Sequence, residues 1–291
     1  MMNKKISKIK ILKQKYADID PFIFDLVLSH TTHKTKEFLY SHPEYNLNLF
    51  EIAKLKFYLN KIKKGFPYHY LTKNKDFYNL NFFVNKNTLI PRPETEIMVE
   101  EAIKEVNCHS DPPDGGEESN TTLIDIGTGT GCIPISILKN TNYKPNTFAV
   151  DISKKALKIA QKNARKHNVQ ISFLRGNLLL PILKKLKSKN LIITANLPYI
   201  TKKQFKNEPS IQHEPKTALI ANNGGLKLYK ELLKQFTSTN NNISATIYFE
   251  INPVQATKIK TLIKEYLPKA DIQIKKDLSG LDRLVIIKTQ S

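Results

Sequence analysis

From residue 4 to about residue 64, apolar positions recur at helical spacing: Ile6, Ile9, Leu12; Phe22, Ile23, Leu26, Val27; then Leu49, Ile52, Ala53, Leu55, Leu59, Ile62. Asp18-Ile19-Asp20-Pro21 and Ser41-His42-Pro43 interrupt the pattern, so several short helices are expected. Asp20 followed by Pro21 supplies an N-cap and a first helical residue that needs no donor. Gly65 closes the set. Between 66 and 90 the period shortens to alternation, with Phe77, Leu80, Phe82 and Val84 separated by Asn, which predicts a hairpin. The prolines of Ile90-Pro91-Arg92-Pro93-Glu94-Thr95-Glu96 force an extended stretch before a helix predicted over 95–106. Residues 108–121, polar with Pro and Gly, read as a mobile surface loop.

The rhythm then becomes strand, turn, helix. Strands are predicted over 122–126, 147–150, 171–174, 191–195, 246–250, 272–275 and 283–288. Helices are predicted from about 133 and over 154–167, 226–237 and 254–266. Such alternation is the mark of an α/β, doubly wound, mostly parallel sheet, and two closing strands without a helix between them suggest an edge hairpin. Three segments are expected: a helical bundle over 1–75, a β-hairpin linker over 76–92 and an α/β domain over 93–291.

Composition adds limits. With 291 residues there is room for two ordinary domains, and no apolar run approaches the ~20 residues of a membrane span. The net charge of +20 invites a nucleic-acid reading. Only Arg92, Arg165, Arg175 and Arg283 among the 46 basic residues are arginine, the residue suited to bidentate phosphate contact, so drift toward lysine on a solvated surface stands beside it. Residues 1–75 carry +9 of the excess. Cys108 and Cys132 are too few for a disulfide framework and lack metal-ligand spacing, so no metal is expected. The opening MMNKKISKIKILKQKY has no signal-peptide core and reads as the first helix of a cytoplasmic protein, expected to be a monomer.

Asp125-Ile126-Gly127-Thr128-Gly129-Thr130-Gly131 follows the first α/β strand and opens a helix, where open sheets bind ligands. Cys132 stands where a dinucleotide fingerprint wants its third glycine, and no Lys-Ser/Thr follows as in a P-loop. Asp151 ends the second strand, placed to accept ribose hydroxyls. This set resembles the S-adenosylmethionine site of the Rossmann-like class I methyltransferases. The resemblance implies that Gly127, Thr128, Gly129, Thr130 and Gly131 hold the methionine part and Asp151 the ribose, with S-adenosylhomocysteine as co-product. Asn177 would meet the adenine amino group. Leu178 either packs on the adenine or belongs to the core.

Strand four runs into Asn196-Leu197-Pro198-Tyr199, which resembles the (Asp/Asn)-Pro-Pro-Tyr motif of methyltransferases acting on planar amino groups. Asn196 and the Leu197 carbonyl would accept both hydrogens of the target nitrogen, and Tyr199 would pack on its plane. Leu197 replaces the usual proline. The strings Tyr70-Leu71, Asp76-Phe77-Tyr78, 89–96, 213–219, Gly224-Gly225-Leu226 with Tyr229, Phe249-Glu250-Ile251 with Gln255, and 277–283 are similar to the protein-glutamine N5-methyltransferases of class I peptide chain release factors. That resemblance implies methylation of the glutamine amide in the Gly-Gly-Gln loop, docking of the release factor by the helical domain, and no need for nucleic acid. It also implies that Arg92 and Glu94 hold the linker near the site and that Glu214 supports the Asn196 loop. The alternatives are an adenine N6 methyltransferase acting on RNA or DNA, and a non-catalytic binder.

Overall fold

In the computed structural model the described residues are 8–108, 121–186, 188, 190–221, 223–239 and 243–289. The stretch read as a mobile loop lies almost wholly outside them. The chain divides into two compact units, 1–74 and 75–291.

The first unit is helical: α1 (Lys8–Lys15), α2 (Pro21–Thr32), α3 (Lys36–Ser41), α4 (Leu49–Lys63) and α5 (Tyr68–Thr72). Asp20 caps α2 as expected, accepting from the amides of Phe22 at 2.8 Å and Ile23 at 3.1 Å. A reciprocal box between Asn48 and Glu51 starts α4. Leu12, Phe24, Val27, Leu28, Leu39, Leu55 and Leu59 form the core. The same α4 leaves Leu49, Phe50 and Phe57 exposed, so its apolar residues run round the helix rather than down one stripe.

A two-stranded hairpin, β1 (Asn74–Phe77) with β2 (Leu80–Phe83), begins at the boundary between the units. The hairpin is thus shorter than the 76–92 stretch read as a linker, and most of it belongs to the second unit. A 3-10 turn at Pro93–Thr95 leads into α6 (Glu96–Cys108). Beyond it run β3 (Thr121–Ile126), α7 (Cys132–Lys139), β4 (Asn146–Asp151), α8 (Lys154–Lys166), β5 (Ser172–Arg175), β6 (Asn190–Ala195), α9 (Lys202–Asn207), α10 (Lys216–Leu219), α11 (Lys227–Thr237), β7 (Ser244–Glu250), α12 (Ala256–Tyr266), β8 (Asp271–Lys276) and β9 (Asp282–Thr289).

The sheet order is β5-β4-β3-β6-β7-β9-β8, parallel through β7, with β9 antiparallel to β7 and to β8. All six residues of β3 are buried, because helices cover both faces. The closing hairpin forms an edge of the sheet as expected, with β9 paired to β7 and β8 outermost. Strand order reverses between β3 and β6, so the crevice of this sheet opens beyond the carboxyl ends of β3, β4 and β6. The two short helices after β6, which no periodicity marked, and the 3-10 turn Pro209–Ile211 between them pack Phe205, Ile211 and Leu219 into a small core beside that crevice. Among the described residues no helix is long and apolar enough to cross a membrane.

Candidate active site

The glycine turn is tied to the end of β4. The amides of Gly127 and Thr128 donate to the Val150 carbonyl at 2.8 and 3.0 Å. Gly129 donates its amide to Asp151 Oδ2 at 2.9 Å and Ser153 donates to Oδ1 at 2.8 Å. A carboxylate offers about four lone-pair directions, so two remain for a ligand. Burial raises the Asp151 carboxyl above its ordinary value. Gly127 has φ +72°, and a Cβ there would stand 3.2 Å from Leu197 Cδ2.

Asp151, Gly127 and Gly129 line a cavity of about 360 Å³ together with Asn177, Leu178 and Asn196, a size usual for cofactor sites. Thr128, Thr130 and Gly131, expected beside them, do not line it. Both threonines are buried, and a Cβ on Gly131 would meet Ile135 and Ala160 at 3.1 and 3.2 Å, so that glycine serves the approach of α7 to α8. The Asn177 side-chain nitrogen donates to Glu231, which leaves its oxygen as the free acceptor. Leu178 is buried in the core and also lines the cavity. Gly176 is required because a Cβ would lie 2.2 Å from the Pro181 ring. Thr88, Leu89, Pro215, Thr217 and Ala218 also line it; all but Thr88 lay inside strings already singled out, but their place in the wall depends on two segments far apart in the chain coming together.

A second cavity of about 100 Å³ adjoins the first. Asn196, Leu197 and Pro198 line both, as do Leu89 and Ala218, so three motif residues stand in the partition between them. Tyr199, Arg92 and Glu250 line only the smaller one. Asn196 Nδ2 donates to Glu250 Oε2 at 2.9 Å and to Thr95 Oγ1 at 3.1 Å. Both amide hydrogens are therefore held, and Oδ1 is the group left to accept. The Leu197 amide donates to the Tyr229 hydroxyl, which donates to the Glu250 carbonyl. The Tyr199 hydroxyl donates to Glu250 Oε1 at 3.4 Å, and its pKa is raised, chiefly by burial.

Burial pushes the Glu250 carboxyl up to about 7, against the Thr95 hydroxyl and the Arg283 charge; the charge of Glu94 adds to the rise. Asp277 places Arg283, accepting from its Nε at 3.1 Å and from the amides of Ser279 and Leu281 at 3.0 Å each. Glu214 holds the extended strap rather than the Asn196 loop: it accepts from the Ile90 amide at 3.0 Å and from Arg92. Gly225 lets the Tyr199 backbone pass, since a Cβ would stand 2.3 Å from the Tyr199 carbonyl oxygen. Thr95, Glu250 and Arg283 lay inside strings already singled out, but only the fold shows what they touch.

A methyltransferase domain model matches residues 117–270. The chain is 37% identical over 248 residues to the release factor glutamine methyltransferase of Enterococcus faecalis, covering 84% of each chain. The chain belongs to the release factor glutamine methyltransferase family. Buchnera aphidicola carries a family member 32% identical over 288 residues, with 98% of each chain covered. The Flavobacterium psychrophilum member is 33% identical, covering 92% of this chain and 91% of its own. In solved structures the fold is similar to the hMettl16 catalytic domain in complex with MAT2A 3'UTR hairpin 1, with TM-score 0.56, 16% identity, and 74% and 78% of the two chains covered. The α/β unit is thus the Rossmann-like fold of class I methyltransferases, and this family member is a methyltransferase whose cofactor is of the S-adenosylmethionine type. The residues present suit that group: a buried carboxylate with free lone pairs, a glycine cradle that a Cβ would fill, and an asparagine oxygen left unpaired by Glu231. Among the described residues no three His, Cys, Asp or Glu side chains are grouped to hold a metal ion.

Proposed function

We propose that this chain uses S-adenosylmethionine to methylate the side-chain amide nitrogen of the glutamine in the Gly-Gly-Gln loop of class I release factors. The observation that carries the reading is the partition: Asn196, Leu197 and Pro198 stand between a cofactor-sized cavity and a much smaller one. The smaller cavity suits a side-chain amide better than a purine ring.

S-adenosylmethionine, when bound, supplies an electrophilic methyl on its sulfonium. The chain's own work is orientation. Asp151 would take the ribose hydroxyls, and Asn177 Oδ1 the adenine amino group. Asn196 Oδ1 and the Leu197 carbonyl would accept the two hydrogens of the glutamine nitrogen, turning its lone pair toward the larger cavity. Tyr199 would pack on the amide plane. An amide nitrogen is a poor nucleophile because its lone pair is delocalised, so alignment and excluded water carry the rate rather than a strong base. Transfer would break the carbon–sulfur bond as the nitrogen–carbon bond forms, leaving S-adenosylhomocysteine, and the proton lost by the methylated nitrogen would pass to solvent.

We assign docking of the release factor to the N-terminal unit, whose α4 presents exposed Leu49, Phe50 and Phe57 among lysines. The working protein is read as a cytoplasmic monomer that needs no nucleic acid. The test is incubation with methyl-labelled S-adenosylmethionine and a release factor, beside a release factor whose loop glutamine is changed to alanine. Label is expected on the first alone; label on both would refute the assignment.

A further inference from the structure

We propose that Glu250 is the positioning residue of the acceptor motif, fixing the Asn196 amide in the one orientation that presents an oxygen, and not a nitrogen, to the incoming amide. The inference deepens the proposed function and rests on it for the identity of the acceptor.

An asparagine amide is nearly symmetric in shape, and a half-turn about its last torsion exchanges oxygen for nitrogen. The flipped form would aim N–H at the N–H of the target and repel it. What selects the form is the partner behind it. An ionised carboxylate accepts and never donates, so Glu250 Oε2 at 2.9 Å tolerates only Nδ2. The Thr95 hydroxyl takes the second hydrogen at 3.1 Å. Glu250 is 2% exposed, so water does not compete for this bond.

The same residue reaches the other members of the motif. Its Oε1 accepts from the Tyr199 hydroxyl, and its carbonyl accepts from Tyr229, which holds the Leu197 amide. Three of the four motif residues are thus referred to the last residue of β7, in the middle of a rigid sheet. Glu250 acts through Asn196: its oxygens accept from Asn196 Nδ2 and from the Tyr199 hydroxyl, and it does not line the larger cavity.

The charge state matters. Glu250 faces the Arg283 guanidinium and the Tyr199 phenol, with the Glu94 carboxylate contributing from the strap; Arg92 bears on Tyr199 from the same side. The carboxyl titrates near neutrality, since burial pushes it up to about 7. Protonated, it offers a donor that a flipped Asn196 can satisfy. Turnover should therefore rise with pH through about 7 in the wild type.

The test compares Glu250→Gln, Glu250→Leu and Thr95→Val for cofactor affinity, steady-state turnover on a release factor, and exchange of the Asn196 side-chain hydrogens by NMR, assigned against Asn196→Ala. Glutamine, like the protonated acid, offers a donor as well as an acceptor, so Glu250→Gln is expected to hold turnover near the wild type's low-pH level and to lose the rise near pH 7. Leucine is expected to lower kcat at least tenfold, with cofactor Kd within about twofold, and to release the Asn196 hydrogens to fast exchange. Thr95→Val, which leaves Glu250 in place, should show a smaller loss of the same kind. The proposal is overturned if the Asn196 hydrogens exchange equally slowly in wild type and Glu250→Leu. It is equally overturned if Glu250→Gln keeps the wild-type rise of turnover with pH, because the group that titrates would then lie elsewhere. Wild-type protein that labels no release factor while its Asn196 hydrogens stay protected would remove the acceptor assignment and leave the positioning intact.

Discussion

The Leu197 amide donates to the Tyr229 hydroxyl at 3.3 Å. A proline at this position, as the family motif has, would lack that hydrogen. Leucine therefore gains an anchor where it gives up the stiffness of the ring, and the anchor leads through Tyr229 to the Glu250 carbonyl. We expect Tyr229→Phe, which leaves both groups buried without their partner, to cost about 1–3 kcal/mol of stability and to slow turnover. In a Leu197→Pro background the same change should cost less, because one of the two orphaned groups no longer exists. Urea unfolding of the four proteins in a double-mutant cycle measures the coupling; strict additivity would count against the anchor.

Gly224 and Gly225 are adjacent and should respond differently to alanine. Both have positive φ, +62° and +87°, and each alanine carries the left-handed strain of roughly 1–2 kcal/mol. A Cβ at 224 meets nothing within 4 Å, whereas at 225 it would lie 2.3 Å from the Tyr199 carbonyl oxygen and from Gln255 Nε2. Gly225→Ala is expected to displace Tyr199 and lower kcat/KM at least tenfold. Gly224→Ala should lose stability and keep most of its activity, as steady-state kinetics beside thermal unfolding will show.

Asp151→Asn tests the cofactor wall. Asparagine has one acceptor oxygen, so it cannot satisfy both the Gly129 and the Ser153 amides and still accept a ribose hydroxyl. Calorimetric titration with S-adenosylhomocysteine should show at least a tenfold weaker Kd, while Asn196→Ala leaves that Kd nearly unchanged.

Asn163 should behave as a structural clamp. It is fully buried in α8, accepts from the Phe83 amide at 2.8 Å, and donates to the carbonyls of Phe83 at 3.0 Å and Thr130 at 2.9 Å. Asn163→Ala orphans these groups and is expected to destabilise the second unit by about 2–4 kcal/mol. Chemical denaturation gives the value; a loss below about 1 kcal/mol would show that the hairpin is held otherwise.

Two buried carboxyls set a pH trend in stability. Burial pushes Glu250 from 4.5 up to about 7 and Asp125 from 3.8 up to about 6. A raised carboxyl keeps its proton in the folded protein where the unfolded chain has lost it. Its contribution is complete below the unfolded value and is lost as pH rises through the folded one. Glu250→Gln should therefore exceed the wild type in stability at pH 8, by on the order of 3 kcal/mol at most, and converge on it near pH 5. Thermal unfolding at the two pH values checks the sign; a gap that widens toward acid would contradict it.

The sequence by itself determined the local elements and their order. Helical spacing in residues 8–64, the Asp20 cap, the strand and helix alternation after 121 and the Gly127–Asp151 spacing are all written in neighbours, and short-range backbone physics converts them directly into structure. It also carried the motifs, because Asn196–Tyr199 and the strap at 90–96 are contiguous. Only the tertiary structure decided which residues work together. Thr95, Asn196 and Glu250 come from three distant parts of the chain, and their meeting depends on β6 lying beside β7. Turn residues that looked equivalent, Gly129 and Gly131, were separated by which way each faces: one lines a cavity, and the other lets two helices close. Which strand of the closing hairpin lies outermost was decided in the same way, since a place in a sheet is set by long-range pairing that no local pattern records.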